Sequence, residues 1–195
     1  YNLAIYLRTS YTDYEGIARE RAEFPDFMDA NFRDNVKKHY EPTLNIIKNH
    51  HSLLAFDMDQ RWLFDLDWNG FKRFGIPRIG EAGIKYLPTY LESKYKDISE
   101  LNILWKKSYG AFSDVINDEE IIKNGVFMDI DEKPWRVDIV EYTLWTINDF
   151  LSDLKSYIRT IAHYILINYT TELQEVVNFP ISTKDNSGID FISPV

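Results

Sequence analysis

Two carboxylates set two residues apart at the end of an apolar run are the first groups in this chain whose types and spacing point to chemistry. The run is "SLLAFDMDQRW", residues 52 to 62, in which a strand-length apolar segment passes into Asp57, Asp59, Gln60, Arg61 and Trp62. On an extended strand Asp57 and Asp59 share one face. Carboxyls flanked by Phe56, Met58 and Trp62 are expected to hold their protons more tightly than a free aspartic acid, because apolar surroundings penalise the charged form. That is the property a general acid needs. The plainer reading stands beside it: the same pair hydrogen-bonds loop backbone, or pairs with Arg61 or Arg8. Other apolar runs also end in polar residues. Arg8 and Tyr11 follow "NLAIYL", and Asn168 and Tyr169 close "YILINY". Each of these is suited to binding hydroxyl groups, and equally to capping a loop.

Composition removes several other chemistries. The chain has no cysteine, which excludes disulfides, thiolate metal sites and a cysteine nucleophile. His39, His50, His51 and His163 lie on expected helices or ahead of strands, and no metal-ligand spacing such as HExxH is present, so neither metal nor cofactor is expected. A formal charge of −9 over 195 residues argues against a nucleic-acid partner, which requires clustered Lys and Arg. No apolar stretch reaches the roughly 20 residues that span a bilayer, so no membrane partner is expected either. No signal peptide is visible, which leaves the cytoplasm slightly favoured. "NYT" at 168 to 170 fits a glycosylation sequon, but burial at a strand end argues against its use. Trp68, Trp105, Trp135 and Trp145 are expected to pack in core or loops, whereas Trp62, just past a strand end, is better placed to face a ligand.

The elements that must position these groups follow from periodicity. "NLAIYL" (2 to 7), "SLLAFDM" (52 to 58), "YILINY" (164 to 169) and "IDFISPV" (189 to 195) are short, continuous apolar runs, the pattern of strands covered on both faces. Asp29 is placed to cap a helix running to about Asn49, with Phe32, Val36, Tyr40, Leu44 and Ile47 at helical spacing. A loop rich in Trp, Gly and Pro runs from about Asp59 to Gly83. "IKYLPTYLESKY" and "SELNILWKKSYGAF" read as two short helices, the second capped by Ser99. Residues 114 to 137 carry turn signals. Val137 to Ala162 reads as a long helix with Ile139, Tyr142, Ile147, Phe150, Leu154, Tyr157 and Ile161 near one face. "TELQEVVNF" reads as a short helix. Strands alternating with helices imply crossover connections and a parallel α/β sheet, whose ligands sit at the carboxyl ends of the strands. Both ends of the chain fall within expected strands, so the 195 residues are expected to form one partial domain of a longer protein.

Residues 86 to 105, "YLPTYLESKYKDISELNILW", resemble a segment of glycoside hydrolase family 42, the β-galactosidases, and of related barrel glycosidases. The pattern there is an aromatic residue, a Leu, Lys-Tyr-Gly, a Leu-Asn pair and a Trp. Tyr90, Leu91, Lys94, Tyr95, Leu101, Asn102 and Trp105 occupy those places, with Lys96 where Gly is usual. "FPDFMDANF", "LLAFDMDQRW", "YIRTIAHYILINY" and "GIDFISPV" resemble, in order, the loop after the third barrel strand, the fourth strand, the passage into the fifth and the start of the sixth.

The resemblance implies a partial (β/α)₈ barrel, about strands three to six, and hydrolysis of β-linked, galactoside-type O-glycosidic bonds with a carbohydrate as the partner. It implies an Asn-Glu pair at the end of the fourth strand, with the Glu as acid/base. This chain has Asp59 and Gln60 there, or Gln60 and Arg61 one residue on. Asp59 is the expected acid, Gln60 a hydrogen-bond donor, and Asp57, Trp62, Arg8, Tyr11, Asn168 and Tyr169 the expected sugar-binding residues. Retaining glycosidases use two carboxyl groups, and the family's nucleophile belongs to a seventh strand outside this chain. The missing Glu favours a second reading, a non-catalytic carbohydrate-binding barrel. A partial sheet also leaves open edges that pair readily with another chain, which makes a homo-oligomer a further expectation.

Overall fold

The computed structural model describes residues 3–7, 26–50, 53–59, 79–122, 133–171 and 191–194. Among these, four strands form one sheet: β1 (Leu3–Leu7), β2 (Leu53–Asp59), β3 (Leu166–Thr171) and β4 (Phe191–Pro194). Helix α1 (Ala30–Ile47) joins β1 to β2. Between β2 and β3 lie α2 (Glu81–Tyr95), α3 (Ile98–Trp105), a 3₁₀ helix (Phe112–Asn117), α4 (Glu119–Ile122) and the long α5 (Arg136–Ile161). The helix expected from "TELQEVVNF" falls outside the described residues. The strands are mutually parallel and lie in the order β1-β2-β3-β4. Two strands end one or two residues later than expected: β2 at Asp59 and β3 at Thr171.

The chain divides into two compact units. The first comprises Tyr1–Glu20, Ala30–Asp65 and Ile147–Val195, and so holds the sheet, α1 and the last turns of α5. Its helices meet through apolar stripes. Val36, Tyr40, Leu44 and Ile47 of α1 are buried, as their spacing of three and four residues requires. Ile147, Phe150, Leu151, Leu154 and Ile158 of α5 are buried too. Phe32 packs on Phe150 at 5.5 Å between ring centres. Arg33 pairs with Asp149 at 2.6 Å and Lys37 with Asp153 at 2.7 Å along the margin of that seam. Tyr164 closes the turn before β3 by donating its hydroxyl to the Ile47 carbonyl at 2.7 Å. Pro42 sits inside α1 on an exposed position, where water can satisfy the carbonyl that loses its partner.

The second unit comprises Arg21–Asp29 and Leu66–Thr146. Its core is Leu87, Leu91, Leu101, Trp105, Val115, Ile121, Trp135, Ile139 and Tyr142. Helix α2 begins at Glu81, three residues earlier than the apolar pattern shows, because its cap comes from a distant residue. The Asp26 carboxylate accepts hydrogen bonds from the backbone N–H of Ala82 at 2.7 Å and of Gly83 at 3.1 Å. That approach requires glycine at position 80, where a Cβ would lie 2.3 Å from the Asp26 carboxylate. Helix α3 is capped by Asp97, which corrects the expectation for Ser99. Asp97 accepts from the Ser99 N–H at 2.8 Å, so Ser99 supplies the donor and not the cap.

Candidate functional site

Because all four strands are parallel, their carboxyl ends lie along one edge of the sheet. The pairing register places residues there in rows. One row is Tyr6, Asp57, Asn168 and Phe191. Two residues further on, and therefore on the same face, Asp59 stands beside Thr170 and Thr170 beside Ser193. The row between them is Leu7, Met58, Tyr169 and Ile192, which belongs to the opposite face. The register thus brings Asp57, Asp59 and Asn168 together and sets Tyr169 apart from them. It adds Thr170 and Ser193, which periodicity did not single out. Arg8, Tyr11, Gln60 and Trp62 lie outside the described residues, as do Trp68 and His51. Two carboxylic acids, an amide and two hydroxyl residues on one face form a set rich in hydrogen-bond donors and acceptors. The acids are also the kind of group that transfers protons.

The most specific sequence motif, residues 86 to 105, does different work. Lys94, Tyr95 and Trp105 converge on one carboxylate, Asp138 in the first turn of α5. Asp138 is 3% exposed. It accepts from Lys94 Nζ at 2.6 Å, from the Tyr95 hydroxyl at 2.5 Å and from Trp105 Nε1 at 2.5 Å. Lys94 also pairs with Glu141. Burial disfavours the Lys94 ammonium, but the hydrogen bonds and charges of Asp138 and Glu141 outweigh it and hold the group protonated well beyond its ordinary range. Tyr95 is shifted upward as well, by burial first and then by the adjoining Asp138 carboxylate. Leu91 and Leu101 fill the core beside them. Asn102 clips the following turn: its amide donates to the Tyr109 carbonyl at 2.8 Å and its oxygen accepts from the Tyr109 N–H at 2.8 Å. The motif is therefore a scaffold, and its hub, Asp138, escaped sequence reasoning. The only local signal for it is an acid amid the apolar residues of "RVDIVEY".

Lys96, at the position where the resembling family has glycine, has φ 59° and ends α2 in the left-handed region, its N–H donating to the Glu92 carbonyl. Glycine is the residue that adopts that conformation without steric cost.

A second polar cluster braces the 3₁₀ helix. Lys107 pairs with Asp118 at 2.7 Å and with Glu120 at 2.8 Å, and the Tyr109 hydroxyl donates to Asp118 at 2.6 Å. Burial raises the Asp118 carboxyl, but the hydrogen bonds from Lys107 and Tyr109 outweigh it, and the net shift is downward. Among the described residues, no group of His, Asp and Glu is arranged to hold a metal ion, and no helix is long and apolar enough to cross a membrane. The four tryptophans expected to pack divide. Trp105 and Trp135 are buried, whereas Trp145 is 40% exposed, which corrects that expectation. It lies on the outer side of α5, stacked on Tyr142.

No model of a known protein family matches the chain, and no curated protein matches it. Solved structures do. The β-galactosidase of the Antarctic haloarchaeon Halorubrum lacusprofundi superposes with a TM-score of 0.52 at 13% identity, over 75% of this chain and 20% of that one. The β-galactosidase of the psychrophilic Marinomonas ef1 gives 0.50 at 13% identity, over 74% of this chain and 21% of that one. An agarase gives 0.50 at 12% identity, over 79% of this chain and 27% of that one. The fold is glycoside hydrolase-like. The chain spans about a fifth to a quarter of the length of these enzymes.

Proposed function

We propose that this chain is part of a (β/α)₈-barrel glycoside hydrolase of the family 42 type, acting on β-linked, galactoside-type carbohydrates, with Asp59 as its acid. The observation that carries the reading is the register at the carboxyl ends of β2 and β3, which sets Asp57 and Asp59 on one face with Asn168 and Thr170. The consecutive order of four parallel strands supports a barrel, since open doubly wound sheets reverse their strand order at the ligand crevice. In this reading Asp59 protonates the leaving glycosidic oxygen, while Asp57 and Asn168 hold sugar hydroxyls. The whole protein supplies the second carboxylate that such hydrolysis requires.

A second reading, a barrel that binds carbohydrate without cleaving it, is favoured by one feature: β2 and its sequel "QRW" contain no glutamate. Chromogenic β-galactosides presented to the whole protein separate the two. Turnover that Asp59→Asn lowers by at least a hundredfold, with folding preserved, supports the hydrolase. Unchanged turnover in that variant removes Asp59 from the mechanism. Binding of the sugar without turnover selects the second reading.

A further inference from the structure

We propose that Thr170 is a positioning residue at the carboxyl edge of the sheet: it stands beside Asp59 and sets the pH at which that acid releases its proton. The placement comes from the parallel ladder. Asp59 of β2 pairs with Thr170 of β3, and Thr170 pairs in turn with Ser193 of β4. Laterally paired residues share a face of the sheet, and their strands lie about 4.8 Å apart. A threonine hydroxyl and an aspartate carboxylate are short groups, and a gap of that size is one they can close with a single hydrogen bond. Chemistry fixes the direction of such a bond. An ionised carboxylate only accepts, so the proton is the threonine's, and a hydroxyl that donates to one side can still accept from Ser193 on the other. The branched Cβ of threonine restricts its first side-chain torsion, so the hydroxyl has few alternative positions.

The consequence is electrostatic. A donor to the ionised carboxylate favours that form and lowers the pKa of the acid. Asp57, two residues back on the same face, acts the other way, because a second negative charge favours the neutral acid. Among the described residues of the sheet, the remaining titratable group on this face is Tyr6, in the Asp57 row. Strands β3 and β4 add Asn168, Phe191 and Ser193 to the two rows, none of which carries a charge. Strand β1 ends at Leu7, and Arg8 lies outside the described residues. Thr170 is thus the neutral donor whose register position lies directly beside Asp59. For turnover, the inference rests on the hydrolase reading and deepens it; the titration of Asp59 stands without it.

The test is carbon-13 NMR of the whole protein labelled at its aspartate carboxyls, titrated from neutral to acid pH without substrate. The Asp59 and Asp57 signals are assigned by their absence in Asp59→Asn and Asp57→Asn. Thr170→Val keeps a branched side chain suited to a strand and removes the hydroxyl. Its Asp59 midpoint should rise by roughly one pH unit, with a smaller change at Asp57. Thr170→Ala, also without a hydroxyl, gives the same reading should valine disturb the fold, and Thr170→Ser should reverse most of the rise. An Asp59 midpoint that stays in place without the hydroxyl overturns the proposal. So does an equal shift of Asp57, which would mark a change of the whole face, or a shift that Thr170→Ser does not reverse. With Asp59 as the acid, the basic limb of the pH–rate profile moves up together with the midpoint. Turnover that Asp59→Asn leaves unchanged removes the hydrolase reading alone, since the midpoints are read without turnover.

Discussion

Replacing Asp138 by alanine strikes the hub on which the most specific motif of the chain converges. Three donors lose their acceptor at once. The Trp105 indole N–H is 1% exposed and has nowhere else to turn; an unsatisfied buried donor costs about 1–3 kcal/mol. The Tyr95 hydroxyl is only partly buried, so water recovers much of its bond and the loss is about 1 kcal/mol. Lys94 keeps Glu141 and is 30% exposed, which limits its share to about 0.5–1 kcal/mol. The sum, about 2.5–5 kcal/mol, overlaps what removing one member of a buried charged pair usually costs. Asp138→Asn keeps the shape and one acceptor oxygen but weakens charge-assisted bonds, and should cost about 1–2 kcal/mol. Urea unfolding followed by tryptophan fluorescence measures both variants, with the slope checked for constancy. A cost below about 1 kcal/mol for Asp138→Ala would refute the assignment of this motif to scaffolding.

Two further outcomes follow from local geometry. Lys96→Gly relieves the left-handed strain at the end of α2 and should stabilise the protein by about 1 kcal/mol, read as a rise in melting temperature of about 2–4 °C; a fall would show that Lys96 makes a compensating interaction. Asp118 is held below its ordinary range, so it contributes stability that is present above pH ~4 and is lost as pH falls through its folded-state value. Asp118→Asn should therefore flatten the loss of stability below pH ~4 in acid titrations of unfolding, and an unchanged acid slope would remove this group from the linkage.

How much of this was legible beforehand depends on the range of the interaction. Helix α1 buries Val36, Tyr40, Leu44 and Ile47 as a 3.6-residue repeat dictates. Along α5 the same reasoning works for Ile139, Tyr142, Ile147, Phe150 and Leu154. It drifts at the end, where Ile158 and Ala162 are buried and Tyr157 and Ile161 are partly exposed. A straight helix slips against any fixed repeat over 26 residues. Nonlocal bonds were invisible. Positions 94, 95, 105 and 138 share one carboxylate, and Asp26 caps a helix more than fifty residues away. The carboxylate pair at 57 and 59 was legible from strand alternation alone. Alternation likewise puts Asn168 and Tyr169 on opposite faces, but which of them joins Asp57 needed the register with β2, which no single strand encodes.

The most direct measurement is a crystal structure of the whole protein with galactose or a β-galactoside analogue bound. The account predicts a sugar ring against the carboxyl ends of β2 and β3, with Asp59 within hydrogen-bond reach of the glycosidic oxygen and Asp57 and Asn168 on ring hydroxyls. A sugar bound elsewhere, with Asp57 and Asp59 making no contact to it, would contradict the account.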